Sequence, residues 1–73
     1  MTYIIYPVRN GIVMDGQAVA AGYGASSQDE AHEACLAANP DATGTARAWA
    51  GAEVLIGDVA GEHLDAEEPR RRS

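Results

Sequence analysis

The stretch TYIIYPVRNGIVMDGQAVAAGYG, residues 2–24, running into SSQDEAHEACLAANP, residues 26–40, decides the fold. Thr2 to Arg9 is rich in Tyr, Ile and Val on both faces, which reads as a strand. Pro7 cannot donate a ladder hydrogen bond, so an edge position or a strand end is expected there. Asn10-Gly11 then gives a strong two-residue hairpin signal, because both residues tolerate positive φ. Asp15-Gly16 is a second such signal, and two readings stay open. Ile12–Met14 is a short middle strand between two tight turns, or residues 10–16 form one wider loop. In either case the chain returns as a strand from Gln17 to Gly24.

The next segment changes period. Ser27-Gln28-Asp29-Glu30 fits a capping box, with the Ser27 hydroxyl on the Glu30 amide and the Glu30 carboxylate reaching back. Asp29 and Glu30 then sit in the first turn, where the helix dipole favours anions. The helix is expected to run to Ala38 and to stop at Asn39-Pro40, with Asn39 in a left-handed cap. On a 3.6-residue period Ala31, Ala34, Cys35 and Ala38 form a small-residue stripe suited to close packing on a sheet. Asp29, Glu30 and Glu33 fall on the opposite side, and Leu36 lies beside Asp29 and Glu33. Leu36 either touches the carboxy-terminal segment or stands exposed among acids as an interface anchor.

Beyond a loop at residues 39–44, Thr45 to Ala50 alternates as a strand carrying Trp49. Gly51-Ala52 turns, and Glu53 to Val59 reads as a last strand. The fold class expected is α+β: a small antiparallel sheet of three to four strands with one packed helix, in the order β-β-α-β-β. Residues 1–59 make the compact domain, and residues 60–73 are a charged tail with too few apolar groups to offset the entropy of ordering.

The 73 residues contain fifteen Ala and eight Gly but no Phe and one Trp, so the core is built of small pieces. A chain of this size buries only about 60% of its unfolded surface. A partner subunit is one common source of extra stability, and a homodimer is expected. Eleven Asp and Glu face five Arg, a formal net charge of −6. Such a surface repels nucleic acid and membrane headgroups and attracts basic surfaces. Cys35 stands alone, which excludes an internal disulfide and fits a reducing compartment. No basic region followed by a long apolar run opens the chain, and no stretch approaches the ~20 apolar residues of a membrane span. A cytoplasmic location in a bacterial host is expected.

Chemistry-bearing constellations are sparse. Gly22-Tyr23-Gly24 before a helix is an incomplete phosphate-binding turn: Ser27 replaces the third Gly, no Walker lysine exists, and Asp29 and Glu30 would repel phosphate. His32 and Cys35, spaced i, i+3, are two ligands at most and do not make a zinc site. Glu62, His63 and Asp65 are an equally thin metal candidate. General acid–base catalysis needs carboxylates in a water-excluding cleft, for which an Ala-rich domain has little room. No enzymatic activity, cofactor or metal is expected.

What remains is a surface module. In size, acidity and layout the chain resembles the small phage-encoded anti-CRISPR proteins of type I systems. The likeness is carried by Thr2–Val8, Gln17–Gly24, the helix Gln28–Ala38 with Asp29, Glu30 and Glu33, and Glu53–Val59. It covers most of residues 1–59 and rests on layout, without a shared motif. The lack of Lys and the bias to Ala, Gly and Arg match a GC-rich bacterial or phage genome. The resemblance implies an inhibitor that binds the basic nucleic-acid-handling surface of a surveillance complex and blocks target DNA by occupancy. Asp29, Glu30, Glu33 and Leu36 would form the binding face, with Asp15, Asp41, Glu53 and Asp58 as a secondary acidic surface. The competing expectations are an accessory or antitoxin-like module with another protein partner, and a self-assembling structural protein.

Overall fold

The structure, a computed structural model, describes residues 2–60. Four strands and one helix follow in the order β1 (Tyr3–Arg9), β2 (Ile12–Val13), β3 (Val19–Ala21), α1 (Ala25–Ala38) and β4 (Gly44–Trp49). All pairings are antiparallel, so the α+β architecture with one packed helix stands. The tail expected from residue 60 onward lies outside the described residues, apart from Ala60 itself.

The register makes β1 the central strand. Val8 pairs with both Val13 of β2 and Gly44 of β4, while Ile5 pairs with both Val19 of β3 and Arg47 of β4. A strand has two edges, so β2 and β3 share one and β4 takes the other. The edge position expected from Pro7 is therefore wrong. The reason lies in the neighbouring row, which breaks between β2 and β3. The Pro7 carbonyl accepts a bond from the Met14 N–H at 3.1 Å, on the side of the interrupted row. In a strand, the N–H and C=O of one residue point the same way, so the donor that proline lacks falls on the Met14 side, just past the end of β2, and the β4 side loses no bond at Pro7.

The Asn10-Gly11 turn forms as read, with φ of 55° and 82° at its two residues and Arg9 paired with Ile12 across it. Both angles are positive, the signature of the hairpin turn whose twist matches the strands. The short-middle-strand reading holds for Ile12–Val13, but the returning strand is only Val19–Ala21 and not Gln17–Gly24.

The intervening residues bulge out and are clamped by Asn39. The buried Asn39 side chain accepts the Gln17 N–H at 2.8 Å and donates to the Gln17 carbonyl at 2.8 Å and the Cys35 carbonyl at 2.7 Å. Its amide thus replaces the strand neighbour that Gln17 lacks. Asn39 ends the helix with φ −129° and ψ 80°, not in the left-handed cap expected, because its side chain is committed to this clamp. A methyl group on Gly16 would overlap the Asn39 side-chain oxygen, which is why the bulge passes this point as glycine.

The helix begins earlier than the capping box implied. Gly24 is the N-cap, no side chain caps the first turn, and no acid lies in it. The Ser27 hydroxyl instead accepts the Gly22 N–H at 2.8 Å and so closes the β3–α1 connection. The buried helix face is Gln28, Ala31 and Cys35, continued by Asn39. Ala34 and Ala38, expected on the packed stripe, are exposed.

Two apolar layers sandwich the sheet. On the helix side, Ile5, Ala21, Ala31 and Cys35 pack together with Val19 against them. On the other side, Val8, Val13, Ala46 and Ala48 are covered by Ala52, Val54 and Ala60 of the segment that follows β4. Directly opposed residues share a face, which accounts for the pairing of Tyr6 with Ala46 and Ile4 with Ala48 on that second side.

The last strand, expected at Glu53 to Val59, does not form. Leu55 to Asp58 make a tight turn, closed by the Asp58 N–H on the Leu55 carbonyl at 3.0 Å and by the Leu55 N–H on the Asp58 carboxylate at 2.8 Å. Gly57, at φ +97°, supplies the conformation that this turn needs. Only a short run continues beside β2, with Val59 bridged to Ile12 and the Val13 backbone bonded to Gly57 and Asp58.

Candidate protein-docking face

The outer surface of α1 presents Asp29, Glu30 and Glu33, all exposed. No side-chain hydrogen bond or ion pair joins any of the three to another described residue, whereas Ser27, Gln28 and His32 are engaged. Ser27 holds Gly22. Gln28 is buried; its amide nitrogen donates to the Tyr23 carbonyl at 3.0 Å, and its oxygen accepts from the Arg47 guanidinium at 2.5 Å. His32 meets the Thr45 hydroxyl through Nδ1. The helix therefore divides into a polar inner row that fixes it to β4 and an acidic outer row that fixes nothing within the described fold.

Leu36 is 41% exposed, and the carboxy-terminal residues of its other expected setting lie, apart from Ala60, outside the described residues. By helical period Leu36, Asp29 and Glu33 share a flank. The secondary acids are dispersed. Asp15 lies in the β2–β3 bulge and Asp41 in the loop after α1, both exposed, and Glu53 is exposed on the segment after β4. Asp58 is half-buried, and its carboxylate accepts the Leu55 N–H within the turn.

The His32–Cys35 pair does not meet. Cys35 is fully buried against the Ile5 and Gln17 carbonyls, at 3.7 and 3.6 Å, while His32 turns to Thr45. Burial pushes the Cys35 thiol up, outweighing the lowering effect of its hydrogen bond from Asn39. Such a thiol is a core residue and a poor nucleophile. No group of three or more His, Cys, Asp or Glu among the described residues is placed to hold a metal ion. Among them, too, no helix is long and apolar enough to cross a membrane. The Glu62, His63 and Asp65 candidate lies outside the described residues.

Sequence reasoning missed an aromatic stack at the start of the helix. Tyr3 is buried and its ring stacks on Tyr23 with centroids 6.0 Å apart and planes 20° from parallel. The Arg47 guanidinium lies over the Tyr3 ring, 5.3 Å from its centroid. Tyr23 follows β3 and Arg47 belongs to β4, and these strands flank β1 on opposite sides. The two neighbours therefore reach Tyr3 from opposite sides. The only sequence signal was an isolated Tyr between two glycines, which reads as a turn until the sheet order is known.

No protein-family model, curated protein or solved structure matches this chain.

Proposed function

We propose that this chain is a small non-enzymatic inhibitor that docks its acidic helix face on a basic, nucleic-acid-handling surface of a protein partner. A type I CRISPR surveillance complex in a host cytoplasm presents a surface of that chemistry, and occupancy would keep target DNA off it. The observation that carries this reading is the division of α1: Asp29, Glu30 and Glu33 make no side-chain bond within the described fold, while Ser27, Gln28 and His32 all do. Carboxylates spaced along one helix face pair well with the Arg and Lys groups that otherwise hold phosphates. Leu36 adds an apolar contact at the edge of that row.

The test is a triple charge reversal, Asp29→Lys, Glu30→Lys and Glu33→Lys, followed by capture of a purified type I surveillance complex. The expected result is loss of capture and of competition with target DNA. Thermal stability should stay close to that of the parent chain, since exposed substitutions usually fall within about 0.5 kcal/mol. Unchanged affinity refutes the face assignment, and failure of the parent chain to bind refutes the choice of partner.

A second reading, self-association, is favoured by a different observation. Ile12 and Val59 are bridged neighbours, 48% and 49% exposed, at the end of the sheet. A homodimer covering them would show twice the chain mass by light scattering, and a monomer at working concentration removes the reading.

A further inference from the structure

A large aromatic ring held rigid in solvent is an unusual use of a tyrosine. Tyr23 is 62% exposed, yet it is fixed at two points. Its ring lies on Tyr3, and its backbone carbonyl accepts the Gln28 amide, which is itself held by Arg47. The inner side of the ring is thus occupied by Tyr3 and the outer side faces solvent. A tyrosine ring face is electron-rich and attracts cations. In the Tyr23–Tyr3–Arg47 series, a guanidinium already sits on Tyr3 from the far side.

We infer that the solvent-facing side of Tyr23, the residue directly before the Gly24 N-cap of α1, seats an arginine guanidinium of the basic partner that Asp29, Glu30 and Glu33 of that helix attract. This rests on the docking reading above, because a basic partner is what acids with no side-chain partner among the described residues select. Arginine is specified over lysine because its planar guanidinium stacks on an aromatic face, whereas an ammonium acts as a compact point charge. Rigidity matters as much as chemistry. A side chain already ordered in the free protein loses little entropy on binding. Tyrosine is also among the residue types that dominate interface energetics.

The experiment uses the full chain and two probes, nonaarginine and nonalysine peptides, at matched ionic strength. Titrations are followed by NMR on the amides of Asp29, Glu30 and Glu33 and on the Tyr23 ring. Nonaarginine should move both sets of resonances in one binding event, and nonalysine should move the amides while leaving the ring nearly unchanged. Tyr23→Leu should weaken nonaarginine binding about twofold to fivefold, the range expected of one exposed cation–π contact, with Tyr23→Phe retaining affinity. Two results overturn the inference while sparing the docking face: the ring stays still as the amides move, or both peptides shift the ring equally. If neither set moves with either peptide, the docking reading fails and this inference falls with it. The wild-type ring signal needs no variant, so a folding defect in Tyr23→Leu would not obscure the outcome.

Discussion

Replacing Asn39 tests the central structural claim, that one side chain couples the end of the helix to the interrupted sheet row. Asn39→Ala removes three side-chain hydrogen bonds of 2.7–2.8 Å, two to the Gln17 backbone and one to the Cys35 carbonyl. At about 0.5–1.5 kcal/mol net for each bond, the sum is about 1.5–4.5 kcal/mol. Gln17 is exposed, so water can replace its two bonds, which places the loss in the lower part of that range, about 2 kcal/mol. A 73-residue chain has a total stability of about 4–11 kcal/mol, so the variant should lose a visible share of it. At about 4–8 °C per kcal/mol for domains of this size, the melting midpoint should fall by about 8–16 °C. Urea titration should show a lower midpoint with an unchanged slope, because the surface exposed on unfolding is the same. Asn39→Asp sharpens the test. It keeps the shape and the acceptor for the Gln17 N–H but sets a carboxylate against the Gln17 and Cys35 carbonyls. Its deficit relative to the parent should be at least as large near neutral pH and should shrink in acid, where protonation restores one donor. If Asn39→Ala melts within about 2 °C of the parent, the clamp contributes too little to explain the bulge, and the reasoning is refuted.

Three further outcomes follow from the same geometry. Gly16→Ala forces a methyl group into the side-chain oxygen of a clamped Asn39 and should cost about 1–3 kcal/mol by thermal melt, whereas Gly16→Ala in an Asn39→Ala background should cost much less. Cys35 should resist alkylation in the native state at mildly alkaline pH and react at the rate of opening in urea; fast native labelling would contradict its burial. Because burial raises the Cys35 thiol, its folded form prefers to stay protonated. Its contribution to stability is therefore complete below the ordinary thiol value and declines as pH rises through the folded value. The alkaline loss of stability should accordingly be shallower in Cys35→Ala. Ile5→Ala should cost about 2–5 kcal/mol by urea titration and Leu36→Ala clearly less, since Ile5 is fully buried and Leu36 is 41% exposed.

Local signals were legible in the sequence where one residue pair decides the geometry. Asn10-Gly11 fixes a two-residue turn by itself, because positive φ at both positions is a local requirement. The end of the helix at Ala38 was legible from Pro40, which cannot continue it, although Asn39 does not take the left-handed cap. Signals that depend on what lies across the sheet were not. Pro7 implies an edge only where a regular strand continues on the side of its missing donor, and on that side β2 ends at Val13, one residue before Met14 bonds to the Pro7 carbonyl. Ser27 fits a capping box, yet it lies inside the first turn and not at the N-cap, and its hydroxyl accepts the Gly22 N–H. The Val-Leu-Ile run at residues 54–56 has strand composition, but Gly57 and Asp58 turn the chain immediately after it. Leu55 and Ile56 are left in solvent.

The candidate site divides along the same line. The acidic row at Asp29, Glu30 and Glu33 follows from helical period alone, so it was visible without knowing what the helix packs on. Tyr23 was not visible, because its role depends on β1 being central: only then do β3 and β4 bring Tyr23 and Arg47 to Tyr3 from opposite sides. This separation has a practical consequence. Ile5, Cys35 and Asn39 are buried, and the proposed docking residues Asp29, Glu30 and Glu33 are exposed and make none of their side-chain contacts. Charge reversal on the helix and substitution at Asn39 should therefore be additive in stability and cleanly divided in function, the first abolishing binding in a folded protein and the second lowering the melting point of one that still binds. A charge-reversed chain that unfolds, or an Asn39 variant that is folded but cannot bind, would show that the acidic face and the core clamp are energetically one unit.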